Sequence, residues 1–149
     1  MGCDPGLSGA ISFYYPEHQM QIACYDMPVD TNGVDAYALA KIVRQFMPDV
    51  AFVERVHSMP KQGVSSTFTF GEAYGTAKGV FAAIGIQIKL VSPRVWKGEF
   101  ELSKDKNESL EMARMLWPDC AHFTRKKDNG RAEAALLAMY GYKSQFTGD

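Results

Sequence analysis

Long apolar runs are missing from this 149-residue chain: no stretch approaches the ~20 apolar residues that a membrane-crossing helix needs. The start also lacks the basic-then-apolar layout of a secretory leader. Cysteine is scarce and odd in number: Cys3, Cys24 and Cys120 are scattered, and no pair has the spacing of a zinc site. Buried, reduced thiols in a cytoplasmic protein are the expectation. Repeats, low-complexity tracts and linkers are absent too, so residues 1–149 read as a single domain. Charge of one sign is lacking as well, with a net charge of −1, which counts against a nucleic-acid-binding protein, since phosphate binding usually needs a positive field. The distribution says more than the sum. Lys89, Arg94, Lys97, Arg125, Lys126, Lys127 and Arg131 all fall in the second half, while Glu99, Glu101, Asp105, Glu108 and Glu111 gather between them. A basic face beside a neutral or acidic back and a mixed, solvated surface are both compatible with that pattern.

What is present is a core of alternating elements, since apolar residues make up 46% of the chain. Ala10–Tyr15 is apolar and aromatic and reads as a strand. Gln19–Tyr25 alternates polar and apolar, as a half-buried strand does, and the turn-like Pro16–His18 joins the two into a hairpin. Asp35–Phe46 has helical spacing with Asp35 as a possible N-cap, and Pro48 ends it. Val50–Val53 is a continuous apolar run, the signature of a strand buried on both faces, and it stops at Glu54. A helix is expected from about Ser66 to Ile84, a strand over Ile86–Val91, a short helical turn over Ser92–Trp96 with Pro93 first, and helices over Lys104–Leu116 and Arg131–Tyr142. Antiparallel strands followed by alternating α and β imply an α/β fold with a mixed sheet covered by helices.

Four acids stand where that order places functional groups. Asp4 ends the first strand and meets the turn Pro5-Gly6 at once, with the small residues Ser8 and Gly9 leaving room for an ion or phosphate. Capping the turn is an equally good use for it. Glu54 follows a buried strand at the sheet edge where α/β folds place their sites, and a carboxylate there needs a cation or hydrogen bonds. Arg55 could supply an ordinary ion pair. Asp128 precedes a helix whose first turn carries Glu133. A plain turn at Asp128-Asn129-Gly130 and a capping role for Glu133 would also explain them. Yet Glu133 sits between Ala132 and Ala134 at the start of an apolar helix, an odd place for an unpaired acid. Hard divalent cations want oxygen ligands, and acids converging from separate strands and one helix are what a metal-assisted phosphodiester hydrolysis requires.

With those residues in view, the chain resembles the RuvC-type Holliday junction resolvases. GCDPGLSGAI is similar to their opening G-x-D-P-G motif. The likeness continues through VAFVERV, FGEAYGTAKGVFAAIG and VSPRVWK to DNGRAEAALLAMYG, over nearly the whole chain and in order, with the closing motif nearest to the phage and prophage branch. The resemblance implies an RNase H-like fold, a homodimer, and cutting of four-way DNA junctions with Mg2+ or Mn2+, two ions per site, in the cytoplasm of a bacterial or phage-infected cell. It assigns catalysis and metal binding to Asp4, Glu54, Asp128 and Glu133. Two departures stand out. In better-known bacterial members the C-terminal acids lie three apart on one helix, whereas here the position three before Glu133 is Gly130. Members also carry several apolar residues before G-x-D, where only Met1 to Cys3 precede Asp4, so the first strand is short.

Gly71, Gly75 and Gly79 form one stripe on the expected 66–84 helix. Interior glycines cost about 1 kcal/mol each against alanine, so something approaches that backbone, either the sheet beneath or a second subunit. The resemblance favours a dimer contact there, with Phe68, Phe70 and Tyr74 adding apolar area. The loop from Arg55 to Ser66 follows Glu54 and should border substrate, where His57 or Met59 could wedge against unpaired bases; an ordinary exposed loop explains the segment equally well. Lys61 would contact phosphate, as would Arg94, Lys97, Arg125, Lys126, Lys127 and Arg131. Trp96 and Trp117 read as core anchors. The reading is therefore a metal-dependent endonuclease acting on branched DNA. The alternatives are a non-catalytic branched-DNA-binding protein on the same fold and a nuclease acting on RNA–DNA hybrids.

Overall fold

A computed structural model describes residues 1–18 and 21–146; Gln19 and Met20, placed by the sequence in the second strand, lie outside the described residues, as do 147–149. Five strands form one sheet: β1 (Gly2–Asp4), β2 (Ala10–Tyr15), β3 (Gln21–Asp26), β6 (Val50–Glu54) and β7 (Gln87–Val91), in the order β3-β2-β1-β6-β7. β1, β2 and β3 are antiparallel, and β1, β6 and β7 run parallel. The expected mixed sheet is thus borne out. Between β3 and the first helix lies a small hairpin, β4 (Val29–Asp30) and β5 (Gly33–Val34), which the sequence reading did not anticipate. Two residues per strand are too few to show a period. The turn is held instead by the Asn32 amide donating to Asp30 Oδ1 at 2.7 Å.

The helices are α1 (Ala36–Phe46), α2 (Val64–Ile84), α3 (Pro93–Glu99), α4 (Lys106–Leu116) and α5 (Asn129–Phe146). Asp35 caps α1 as expected, accepting from the Ala38 amide at 2.9 Å. α4 starts two residues later than expected because Asp105 is its cap, accepting from the Asn107 amide at 2.9 Å. α5 starts two residues earlier than expected, directly after a 3-10 turn over Lys126–Asp128.

Side chains alternate across the sheet and divide the core into two layers. On one side Cys3, Ile11, Phe13, Ala51 and Val53 pack with α1 and α2 through Leu39, Val43, Ala77 and Phe81. On the other, Cys24 and Phe52 pack with α3, α4 and α5 through Trp96, Leu110, Leu136 and Leu137. The run Ala51-Phe52-Val53 thus feeds both layers, which is why it reads as continuously apolar. Full burial of Leu136 and Leu137 contributes about 1.5–3 kcal/mol each. α5 crosses β1 so closely that a Cβ at Gly2 would collide with the Ala134 carbonyl. That contact explains the glycine in the central strand and brings the start of α5 to the end of β1.

Candidate active site

Three acids reach one pocket from three distant parts of the chain. Asp4 ends β1, Glu54 ends the parallel neighbour β6, and Glu133 lies in the first turns of α5; all three line a cavity of about 780 Å³. The Gly6–Gly9 turn forms one wall, closed by the Gly9 amide donating to the Gly6 carbonyl at 2.9 Å. Met59, Gln62, Thr69 and Phe70 form another, and Lys97, Lys104 and Lys106 complete the lining.

Each acid has a different hold. Asp4 is half-buried, and its carboxylate accepts one long hydrogen bond, 3.5 Å from the Gly6 amide. Burial and then the charge of Glu133 raise its pKa, against the pull of Lys106. Glu54 accepts from the indole Nε1 of Trp96 at 2.8 Å. Burial first, and the charge of Asp4 second, push its carboxyl up to about 7, with the Trp96 hydrogen bond opposing. Glu133 is buried and pairs with Lys97, whose Nζ stands 2.7 Å from Oε1; Ser109 Oγ lies 3.5 Å from the same oxygen.

This donor set fits a hard divalent cation: all oxygen, with two of its carboxylates raised in pKa partly by a neighbouring acid, a repulsion that a bound cation relieves. The acids line the walls rather than surround one point, and no group of three or more His, Cys, Asp or Glu among the described residues is drawn around an ion position. Lys97 holds Glu133 and Trp96 holds Glu54.

The fourth acid of the sequence reading, Asp128, is not among the residues that line this pocket. Asp128 is 1% exposed and folds back on the turn before α5. It accepts from the Arg125 backbone amide at 2.7 Å and from Arg125 Nε at 2.9 Å, with Arg131 at 4.0 Å. Burial alone would raise its pKa, but the Arg125 hydrogen bonds outweigh it and hold the carboxyl below the usual range. Gly130 shows why no acid stands three before Glu133: a Cβ there would lie 2.9 Å from the Ser8 carbonyl. The helix start is pressed against the turn that carries Asp4.

The basic residues divide as well. Arg131 makes a fork on Asp26, through Nε at 2.7 Å and an Nη at 2.9 Å, and Arg125 pairs with Asp128, so both serve the α5 start. Lys97 is internal, while Lys61, Arg94, Lys126 and Lys127 are exposed. Lys104 and Lys106, which sequence reasoning missed as site residues, line the pocket. No sequence signal marked them, since only the fold carries the start of α4 to the pocket. Trp96 is a core anchor as expected and also a hydrogen-bond donor to Glu54. Of the residues expected at a dimer contact, Phe68 is 70% exposed and Gly71, Gly75 and Gly79 face open space. Phe70 instead lines the pocket, and Tyr74 packs beside the α1–α2 layer with Lys78 over its ring at 4.0 Å.

A mixed five-strand sheet with acids at the ends of its two central parallel strands and on the crossing helix defines an RNase H-like α/β fold. Within that class, it is the fold of the RuvC resolvases. The structure of "T. thermophilus RuvC in complex with Holliday junction substrate" superposes with a TM-score of 0.65 over 98% of this chain and 94% of that one, at 16% identity. The yeast mitochondrial Holliday junction resolvase Ydc2 superposes with a TM-score of 0.53 over 97% of this chain and 79% of that one, at 15% identity. In sequence, the chain is 32% identical over 92 residues to the chloroplastic Holliday junction resolvase MOC1 of Chlamydomonas reinhardtii, a match covering 60% of this chain and 10% of that protein's length. No protein-family model matches.

Proposed function

We propose that this protein is a structure-selective endonuclease that resolves four-way DNA junctions. The observation that carries the reading is the meeting of Asp4, Glu54 and Glu133 in one lysine-rimmed pocket on a RuvC fold. These three carboxylates would hold Mg2+ or Mn2+, two ions per site, and the ions would supply Lewis acidity toward water and the phosphate oxygens. The chain's own residues do the rest. Trp96 fixes one oxygen of Glu54 and leaves the other to the pocket. Lys104 and Lys106 stand at the rim, where cations meet backbone phosphates and set the register of the duplex. Met59 and Gln62 wall the side next to the loop after β6, against which a distorted strand can rest. A homodimer through the exposed glycine face of α2 would present two such sites to the two strands that must be cut.

The test is a synthetic four-way junction incubated with Mg2+, with Mn2+ and with chelator. Paired cuts that need the ion are expected. A folded protein that cuts neither the junction nor other branched DNA would overturn the reading. One observation favours a second reading: Glu133 is bridged by Lys97 rather than open, as a non-catalytic junction-binding protein would allow. Junction binding without any ion-dependent cleavage is its distinguishing result.

A further inference from the structure

Lys97 and Glu133 form the most enclosed ion pair that bears on the pocket, with side chains 13% and 5% exposed. A buried carboxylate needs a partner, and Glu133, between Ala132 and Ala134 on an apolar helix, has among the described residues this ammonium and the more distant Ser109 hydroxyl. Lys104 and Lys106 line the pocket too but are exposed, and Lys106 acts on Asp4. The ammonium is a compact charge on a flexible four-carbon stem, unlike the rigid fork of arginine. Its neighbour on α3 is the fully buried Trp96, anchored to Glu54, so the backbone under Lys97 is fixed while its tip borders the open pocket. An ammonium at 2.7 Å from Glu133 Oε1 and a divalent cation on the same carboxylate would repel strongly at that range.

We propose that Lys97 is a resident counter-cation of the site. It holds Glu133 in place without a divalent ion and yields that carboxylate to the ion when one arrives. The proposal rests on the reading of Asp4, Glu54 and Glu133 as a metal site, and it makes Lys97 a positioning residue in the free protein.

The experiment is Mn2+ binding to the DNA-free protein, measured by calorimetry, for the wild type, Lys97→Met and Lys97→Arg. Lys97→Met should bind Mn2+ about tenfold more tightly than the wild type, the coupling expected of two cations competing for one carboxylate. Its melting temperature in chelator should fall, and Mn2+ should restore it by a larger step than in the wild type. Lys97→Arg, which keeps the pair, should bind no more tightly than the wild type. In a Glu133→Gln background, Lys97→Met should leave Mn2+ affinity unchanged. Should Lys97→Met not fold in chelator, Lys97→Gln, which can still donate to Glu133, serves in its place with the same expected direction. Wild-type binding with no gain in the neutral variants overturns the exchange alone. No Mn2+ binding by any variant overturns the metal reading beneath it.

Discussion

Asp4 and Glu54 are held in the folded chain at an electrostatic cost. Glu54 rises from 4.5 to about 7 through burial and the charge of Asp4. A carboxyl whose folded pKa is raised binds more protons folded than unfolded between those values, so its contribution to stability falls as pH rises through that window. In chelator, the melting temperature of the wild type should therefore decline from pH 4.5 to about 7. Glu54→Gln should flatten that decline and melt higher than the wild type at pH 7.5, as read by a thermal-shift series. Asp4→Asn should likewise stabilise the ion-free protein while lowering junction cleavage by about 100-fold or more, the scale of losing a key electrostatic group. Gel-shift and cleavage assays on one junction separate the two effects, since binding should survive. An Asp4→Asn protein that still cuts at wild-type rate would remove Asp4 from the chemistry.

The element that organises the site is α5. Its start is held by Asp128, Arg125, Arg131 and Asp26, and its first turn abuts the Ser8 carbonyl through Gly130. Asp128→Ala leaves the Arg125 amide and guanidinium without their acceptor and should cost about 1–3 kcal/mol by urea denaturation, while ion-dependent cleavage persists. Loss of cleavage with stability intact would return Asp128 to the metal set. Gly130→Ala puts a methyl against backbone and should cost about 1–3 kcal/mol, with cleavage reduced because the turn bearing Asp4 must shift. These details mark the limit of what the sequence made legible. Periodicity, apolar runs and the G-x-D motif located every strand of the main sheet and every α-helix, while the short hairpin and the 3-10 turns were too brief to leave such a signal. The three pocket acids stood out as charges against apolar neighbours. Asp128 was grouped with them by the resemblance, despite the Gly130 departure, because a string of letters cannot show that Arg125, three residues back, curls onto it. Lys104 and Lys106 were hidden for the converse reason: they join the pocket only through the fold, a hundred residues from Asp4.

At the scale of the whole molecule, α2 presents Val64 and Phe68 outward beside glycines with nothing packed on them. Phe68→Asp should shift the protein to a monomer in sedimentation velocity and separate the paired cuts into independent nicks, provided that face is the twofold contact. A variant that stays dimeric would place the contact elsewhere. One further consequence follows from where the acids lie along the chain. Asp4 and Glu54 leave the ribosome early, while Glu133 emerges only with α5, the helix that also covers β1, β2 and β6. No shorter nascent chain holds the complete set. The proposed cutting activity therefore waits on the docking of α5, and a chain interrupted before Glu133 lacks the third acid of the pocket.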